Sequence, residues 1–537
     1  MPGGPRALHG GGLERSLADD RPRALIQMAT GAGKTYAAVT SSYRLLAHAK
    51  AHRILFLVDR NNLGRQAGEE FATYVTAGDG RKFTELYNVE PLTAAGLRGS
   101  THVVISTVQR LYAMLRGRPV PDPDVDDRAF DADTSGDGSG DWSGDGDDEP
   151  IDIAYSADIP PETFDLIIVD ECHRSIYGRW RAVLEYFDAY LVGLTATPVK
   201  QTFGFFHQNL VSEYTYPQAV ADGVNVDFDV YRIRTELTRH GATIEAGITV
   251  PRRDRRTRQQ RYEELDDDFS WTPEQLGRSV VSPNQIELVL RTFKDRLFTE
   301  IFPGRTHVPK TLIFAKDDNH AEDIVMKVRE VFGQGNEFAT KITYSVRDTD
   351  SLLKAFRNSA ELRIVVTVDM IATGTDVRPL ECLLFLRNPR SAVLFEQMKG
   401  RGSRTIDGDD FQAVTPDSSV KNRFVLVDAV GVLESERAEA APLAQHTEKQ
   451  ISLDKLLRKT GTLTIDADEV CTLASRLARL NQQITPDERA ELEQLAGAPL
   501  TAVVSSLARC ADTARRAGPG AQRALVEDAG GRAKKAT

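Results

Sequence analysis

Apolar, β-branched runs of four to six residues recur along this chain, separated by stretches with helical spacing of apolar positions. Strands alternating with helices predict parallel sheets with crossover helices. Runs at 24–28, 53–58, 102–106, 164–169 and 190–194 read as the strands of a first lobe, spanning 23–225. Runs at 310–315, 363–368, 381–386 and 423–427 read as a second lobe, spanning 301–448. The pattern changes between and after them. Residues 226–300 read as a charged connector with a basic run from Arg252 to Arg261, and 449–537 read as helices only. Leu473, Leu477, Leu480 and the segment 486–495 carry helical spacing there, and the last twenty residues read as a fraying tail. The expected fold class is therefore α/β: two parallel-sheet lobes followed by an all-α C-terminal domain. No repeat at solenoid periods interrupts this plan.

The chemistry sits at the ends of the runs. Strand 24–28 leads into Ala29-Thr30-Gly31-Ala32-Gly33-Lys34-Thr35 and then a helix, the parts of a P-loop, although Met28 stands where the general pattern has its first glycine. Gly31 and Gly33 let backbone N–H groups of Thr30 to Gly33 close around phosphates, and the helix start adds the positive end of its dipole. Lys34 would reach the β- and γ-phosphates of ATP, and Thr35 would hold Mg²⁺. The strand 164–169 ends in Asp170-Glu171-Cys172-His173. Neighbouring residues at a strand end point to different sides. We assign Asp170 to the metal and Glu171 to the base that addresses an attacking water. Alone, a strand-end acid pair is a common surface feature; after a P-loop it is the other half of a nucleotide site.

Three further segments follow in order. Thr195-Ala196-Thr197-Pro198 would by itself be an N-cap with Pro in the first turn; in this order it reads as an element coupling the ATP and DNA sites. Thr373-Gly374-Thr375-Asp376 follows a strand of the second lobe. Gln397, Arg401 and Arg404 are spaced so that the two arginines would share one helical face and aim at one anion.

Composition changes the picture in two places. The net charge of −11 looks hostile to nucleic acid, yet residues 121–150 hold twelve acids against Arg128 alone, so the rest of the chain is neutral. That segment, rich in Asp, Gly, Ser and Pro, reads as a solvated, disordered insertion, and a neutral body can carry a basic groove. Four cysteines without metal-ligand spacing, no apolar run of membrane length and no signal-like start point to a cytoplasmic protein without membrane, disulfide framework or zinc.

These residues, in this order, resemble a superfamily-2 helicase or translocase, and more closely the motor subunit of type I restriction enzymes. The likeness rests on the segments from Asp170 to Tyr177 with Trp180, from Leu194 to Pro198, from Thr306 to Lys316, from Val368 to Asp376 and from Phe395 to Arg404. It covers roughly residues 20–510 apart from the insertion. It implies two RecA-like lobes of the P-loop NTPase type, followed by a helical domain that docks on modification subunits. It implies an ATP site of Lys34, Thr35, Asp170, Glu171, Gln397, Arg401 and Arg404, with Gly374 and Asp376 by the ribose. Asp59, Arg60, Ser106, Thr107 and Thr373 would lie along the DNA backbone; an Arg or Thr after a strand is otherwise often only a cap. The implied function is an ATP-dependent translocase on double-stranded DNA, partnered by modification and specificity subunits. A free-standing helicase in repair or phage defence, and an inactive truncated subunit serving only assembly, are the alternatives.

Two departures from that family are visible. In the family an endonuclease domain precedes the motor, whereas residues 1–22 are too few to form one, so a motor without nuclease is expected. The family also places an adenine-reading Gln upstream, and residues 5–13 contain none. Adenine would then be held differently, or the start of the gene is broken.

Overall fold

The computed structural model describes residues 11–118, 153–233, 282–432 and 453–517, with breaks at 77, 79, 94–95, 154, 177, 347, 369–375, 390, 463, 466 and 485, and four short strands between 242 and 271. The acidic insertion at 121–150 and the tail at 518–537 lie outside the described residues. The chain divides into two units, 1–225 with 449–537, and 226–448.

The first unit is built on β1 (Arg23–Met28), β2 (Ile54–Val58), β3 (Val89–Pro91), β4 (Val103–Thr107), β5 (Leu166–Val169), β6 (Tyr190–Thr195) and β7 (Leu210–Tyr214). They form one sheet in the order β3-β4-β2-β5-β6-β1-β7, every pairing parallel. A parallel sheet is covered on both faces, so its strands are apolar throughout, and every residue of β2, β4 and β5 is buried. In β2, Ile54, Phe56 and Val58 face one core while Leu55 and Leu57 face the other. The helices Lys34–His48 and Asn61–Thr73 cover the first face, through Ala38 and Phe71. The helices Val108–Leu115 and Gly178–Tyr186 cover the second, through Leu111 and Val183.

Residues 449–537 belong to this first unit. Helices Leu453–Gly461, Ala467–Gln483, Pro486–Ala496 and Leu500–Ala517 gather Leu456, Leu473, Leu477 and Val504 into a separate apolar cluster with Val220 and Ala221. Those two come from the helix Tyr216–Ala221, which follows β7.

The second unit starts earlier than the pattern suggests. Asp227–Arg232 (β8), within the stretch read as a connector, is the edge strand of the second sheet. Its alternation of charged and apolar residues suits a strand buried on one side only, which is why it does not stand out as a core strand. The same stretch contains β9 (Ala242–Ile244), β10 (Thr249–Arg253), β11 (Gln260–Glu264) and β12 (Phe269–Trp271), with β10 antiparallel to β11 and β9 to β12. It ends in the helix Pro283–Arg296, capped by the Ser282 hydroxyl accepting the Gln285 N–H at 3.2 Å. Then come β13 (Thr311–Phe314), β14 (Ala339–Lys341), β15 (Ile364–Thr367), β16 (Cys382–Phe385) and β17 (Arg423–Asp428), in the all-parallel order β14-β15-β13-β16-β17-β8. Both units are thus RecA-like parallel-sheet lobes.

Candidate nucleotide site

In open parallel sheets, ligands bind beyond the carboxyl ends of the strands. Every residue singled out in the first unit lies at that edge: Lys34 after β1, Asp59 and Arg60 after β2, Thr107 at the end of β4, Asp170 and Glu171 after β5, Thr195 at the end of β6. Because β6 separates β5 from β1, the acids and the glycine turn flank Thr195.

The turn after β1 has the form the phosphate reading needs. Gly31 and Gly33 have φ of 88° and 89°, a region that strains any side chain. The Ala32 N–H donates to the Ala29 carbonyl at 3.1 Å and closes the turn. Gly33 starts the helix Lys34–His48 without a capping side chain, at the positive end of that helix's dipole.

The acids differ from the strand-end alternation expected of them. The strand stops at Val169, the Asp170 N–H donates to Leu57 O at 2.9 Å, and Glu171 takes a left-handed φ of 46°. A turn, not a pleat, sets their directions. It folds the Glu171 N–H onto Asp170 Oδ1 at 3.0 Å and aims the Glu171 carboxylate at Lys34 Nζ, with which it forms a tight, largely buried ion pair. Burial pushes the Asp170 carboxyl up to about 7; Lys34 opposes this, and Glu171 and Asp59 add to it. Lys34 thus offsets the charge of Glu171, its ion-pair partner, and of Asp170. Mg²⁺ at phosphate sites takes one or two protein carboxylates plus phosphates and water. Among the described residues there is no group of three or more His, Cys, Asp or Glu placed to hold a metal.

His173, absent from the expected site, joins these elements. Its Nδ1 lies 3.0 Å from Thr195 Oγ1 and 3.5 Å from Glu171 Oε2. Thr195 Oγ1 also accepts the Thr197 N–H at 3.1 Å, and the next helix begins only at Lys200. The 195–198 segment is therefore not a helix cap; it links the acids to β6. The available signal was His173 standing two residues after Glu171. Between them Cys172 is buried, and burial drives its thiol well above the ordinary range, so it is packed and inert. A Cβ at Gly193 would come within 2.3 Å of the Phe206 ring and 2.8 Å of Cys172 Sγ, so only glycine fits.

The residues expected along DNA are less open. Asp59, Arg60, Ser106 and Thr107 are all buried. Thr107 caps the helix Val108–Leu115 by accepting the Arg110 N–H at 3.2 Å, and Ser106 Oγ donates to Thr107 O at 2.9 Å. Arg60 immediately precedes the helix Asn61–Thr73. What this edge presents is two helix N-termini.

In the second unit, Thr373 and Gly374 lie outside the described residues. Gln397 is buried on the helix Ala392–Lys399. Arg401 and Arg404 do not share a helical face, because the helix ends at Lys399; Arg401 lies in the turn beyond it and Arg404 in extended backbone at a β-bridge. Gly402, within that turn, packs closely on β17: a Cβ there would sit 2.3 Å from the Phe424 ring. Asp376 is held by these arginines, with Arg404 Nε at 3.5 Å and Arg378 Nε at 3.3 Å. Burial raises its carboxyl, but Arg404, Arg378 and Arg401 together bring it below its ordinary value. Lys421, also unforeseen, donates to the carbonyls of Arg404 at 2.7 Å and Arg378 at 2.8 Å, and burial lowers its ammonium to about 7.

Residues 12–200 match the family model "Type III restriction enzyme, res subunit", and 294–405 match "Helicase conserved C-terminal domain". The chain is 27% identical to the type I restriction enzyme EcoKI endonuclease subunit of Escherichia coli K12, over 88% of this chain and 40% of that protein. To the EcoAI endonuclease subunit of Escherichia coli it is 28% identical, over 72% of this chain and 42% of that protein. The chain therefore spans about two fifths of the length of the curated relatives it matches. Among solved structures it is similar to a fragment of an HsdR subunit of a type I restriction enzyme from Vibrio vulnificus YJ016, with 20% identity, 81% of this chain and 64% of that one covered, and a TM-score of 0.49. No described helix is long and apolar enough to cross a membrane.

Proposed function

We propose that this chain is an ATP-dependent double-stranded DNA translocase, the motor of a type I restriction system working with modification and specificity subunits. The observation that carries the reading is the cluster of Lys34, Asp170 and Glu171 beside a glycine turn that opens a helix. The turn's N–H groups and Lys34 hold the phosphates. Thr35 and Asp170 hold Mg²⁺, which when bound offsets the charge of the phosphate oxygens. A phosphate oxygen competes with Glu171 for Lys34, and the released Glu171 carboxylate takes a proton from the attacking water. His173 reports the state of Glu171 to Thr195 through the two contacts of its Nδ1. Within the second unit, Gln397, Arg401 and Arg404 carry planar or charged donors of the kind that bind phosphate, Arg404 resting on Asp376. DNA phosphates are gripped without sequence preference by the helix N-termini after Arg60 and Thr107.

The test is ATP hydrolysis with and without duplex DNA, at two salt concentrations. Turnover stimulated by DNA and weakened by salt is expected, since neutralised phosphates release counterions. Glu171→Gln should bind nucleotide and lose turnover by roughly 10²-fold or more, the scale of general-base catalysis. Full turnover in that variant removes Glu171 from the role of base. ATP hydrolysis indifferent to duplex DNA speaks against the translocase.

A further inference from the structure

Asn225, the last residue of the first unit, is fully buried. A buried amide costs stability unless its hydrogen-bonding groups are met. Its Nδ2 donates to the carbonyl of Thr30, inside the phosphate-binding turn, at 3.0 Å. Its Oδ1 has no hydrogen-bond partner among the described residues. One firm bond is thus kept at the expense of one unmet acceptor, and the bond made is to the turn.

The backbone around Asn225 is fixed to hold it there. The helix Tyr216–Ala221 ends through Gly223 at φ 70°, and the N–H groups of Val224 and Asn225 both donate to Ala219 O, at 2.9 and 3.0 Å. One residue before the Thr30 contact, the Ala29 N–H donates to Tyr214 O at 2.9 Å. The segment 214–225 therefore grips the entry of the turn at two consecutive residues.

We infer that Asn225 is a positioning residue for the phosphate-binding turn, fixing the Thr30–Gly31 peptide so that the Gly31 N–H faces the phosphate. The reason lies in the planarity of the peptide. In a trans peptide the C=O and the next N–H point in opposite directions. Holding the Thr30 carbonyl from behind therefore orients the Gly31 N–H forward. Glycine at φ 88° offers no side chain to hold this peptide in place, so an outside anchor supplies the order. This inference rests on the nucleotide-site reading above for its ligand, though not for the geometry it describes.

The experiment measures hydrogen exchange of the full chain without nucleotide, in wild type, Asn225→Ala and Asn225→Asp, together with KM and kcat for ATP. In Asn225→Ala, exchange across residues 30–34 should rise on the order of ten-fold, the loss of one buried hydrogen bond. Exchange in the second unit should stay as in wild type. KM for ATP should rise more than kcat falls. Asn225→Asp should show the same defect at pH 8 and lose most of it near pH 5, because full burial of this position raises the carboxyl so that it is neutral there and again donates to Thr30 O. Unchanged exchange at 30–34 in Asn225→Ala overturns the proposal, as does a rise spread evenly over the first unit. If Asn225→Ala does not fold, the pH-dependent recovery of Asn225→Asp decides alone, and its absence overturns the proposal. A wild type that binds no ATP, with exchange at 30–34 still rising in the variants, would sink the proposed function and leave the positioning role standing.

Discussion

Glu171 is the only residue between Val169 and Ser175 with a left-handed backbone, and that one φ brings its carboxylate to Lys34. Such conformations cost of order 1–3 kcal/mol and persist where surroundings over-determine them. The types of the site residues were readable from the motif, because a glycine turn before Lys-Thr and a strand ending in two acids are local patterns. Their directions were not, since a turn replaces the expected pleat. The His173–Thr195 contact was not readable either, for it joins residues 22 apart in sequence across two strand ends. The crowding of carboxylates has a consequence for pH. The Asp170 carboxyl is raised from 3.8 to about 7, first by burial and then by Glu171 and Asp59 against the pull of Lys34. Between those values the folded chain holds a proton that the unfolded chain has released, so this group's contribution to stability falls as pH rises through the window. Asp170→Asn stays neutral and escapes the loss. The difference in Tm between Asp170→Asn and wild type should therefore grow by a few degrees from pH 5 to pH 8, at ~2–4 °C per kcal/mol. A difference that does not change with pH would show that Asp170 is ionised throughout.

At the scale of elements, central strands were legible and edge strands were not. β2, β4 and β5 are buried on both faces and read as continuous apolar runs. β3 and β14 have three residues each, and β7 and β8 carry polar residues at half-buried positions. Short, polar edges are how sheets avoid pairing with other chains, and the same features conceal them from a search for apolar runs. The helix preceding Arg401 was legible, but its end was not; just past that end Gly402 packs against Phe424, in a strand about twenty residues onward. That contact makes a sharp prediction. Gly402→Ala would place a methyl 2.3 Å from a fully buried ring, and overpacking of this kind costs typically 1–3 kcal/mol. The free energy of urea unfolding of the second unit should fall by that amount, with its midpoint at lower urea. ATP turnover should fall further than stability alone explains, since Arg401 and Arg404 flank the displaced residue. Phe424→Leu in the same chain should restore part of both. A Gly402→Ala variant as stable and active as wild type would mean that the turn is looser than its packing indicates.

For the whole molecule, the decisive feature is that the chain leaves its first unit at residue 225 and returns to it at 449. The sequence showed a C-terminal block of helices but gave no sign of which lobe they join. The pairing depends on Val220 and Ala221, two small apolar residues on a six-residue helix, too faint a stripe to announce a docking face. Asp222 strengthens the joint by accepting the hydroxyl protons of Tyr214 and Ser505, both at 2.9 Å. The first unit is therefore complete only when the last helices have been made, and closing so long an excursion costs entropy that the helical cluster must offset. Val504, 1% exposed, lies within that cluster. Val504→Asp puts an unpaired carboxylate there, a change that costs on the order of 3–5 kcal/mol. Calorimetry should show a lower transition for the first unit, while the transition of the second unit stays where it is in wild type. Because Tyr214 also receives the Ala29 N–H through its carbonyl, hydrogen exchange at 500–517 and at the glycine turn after β1 should rise together. Loosening of the C-terminal helices with no change at the turn would show that the segment 214–225 holds its place without them.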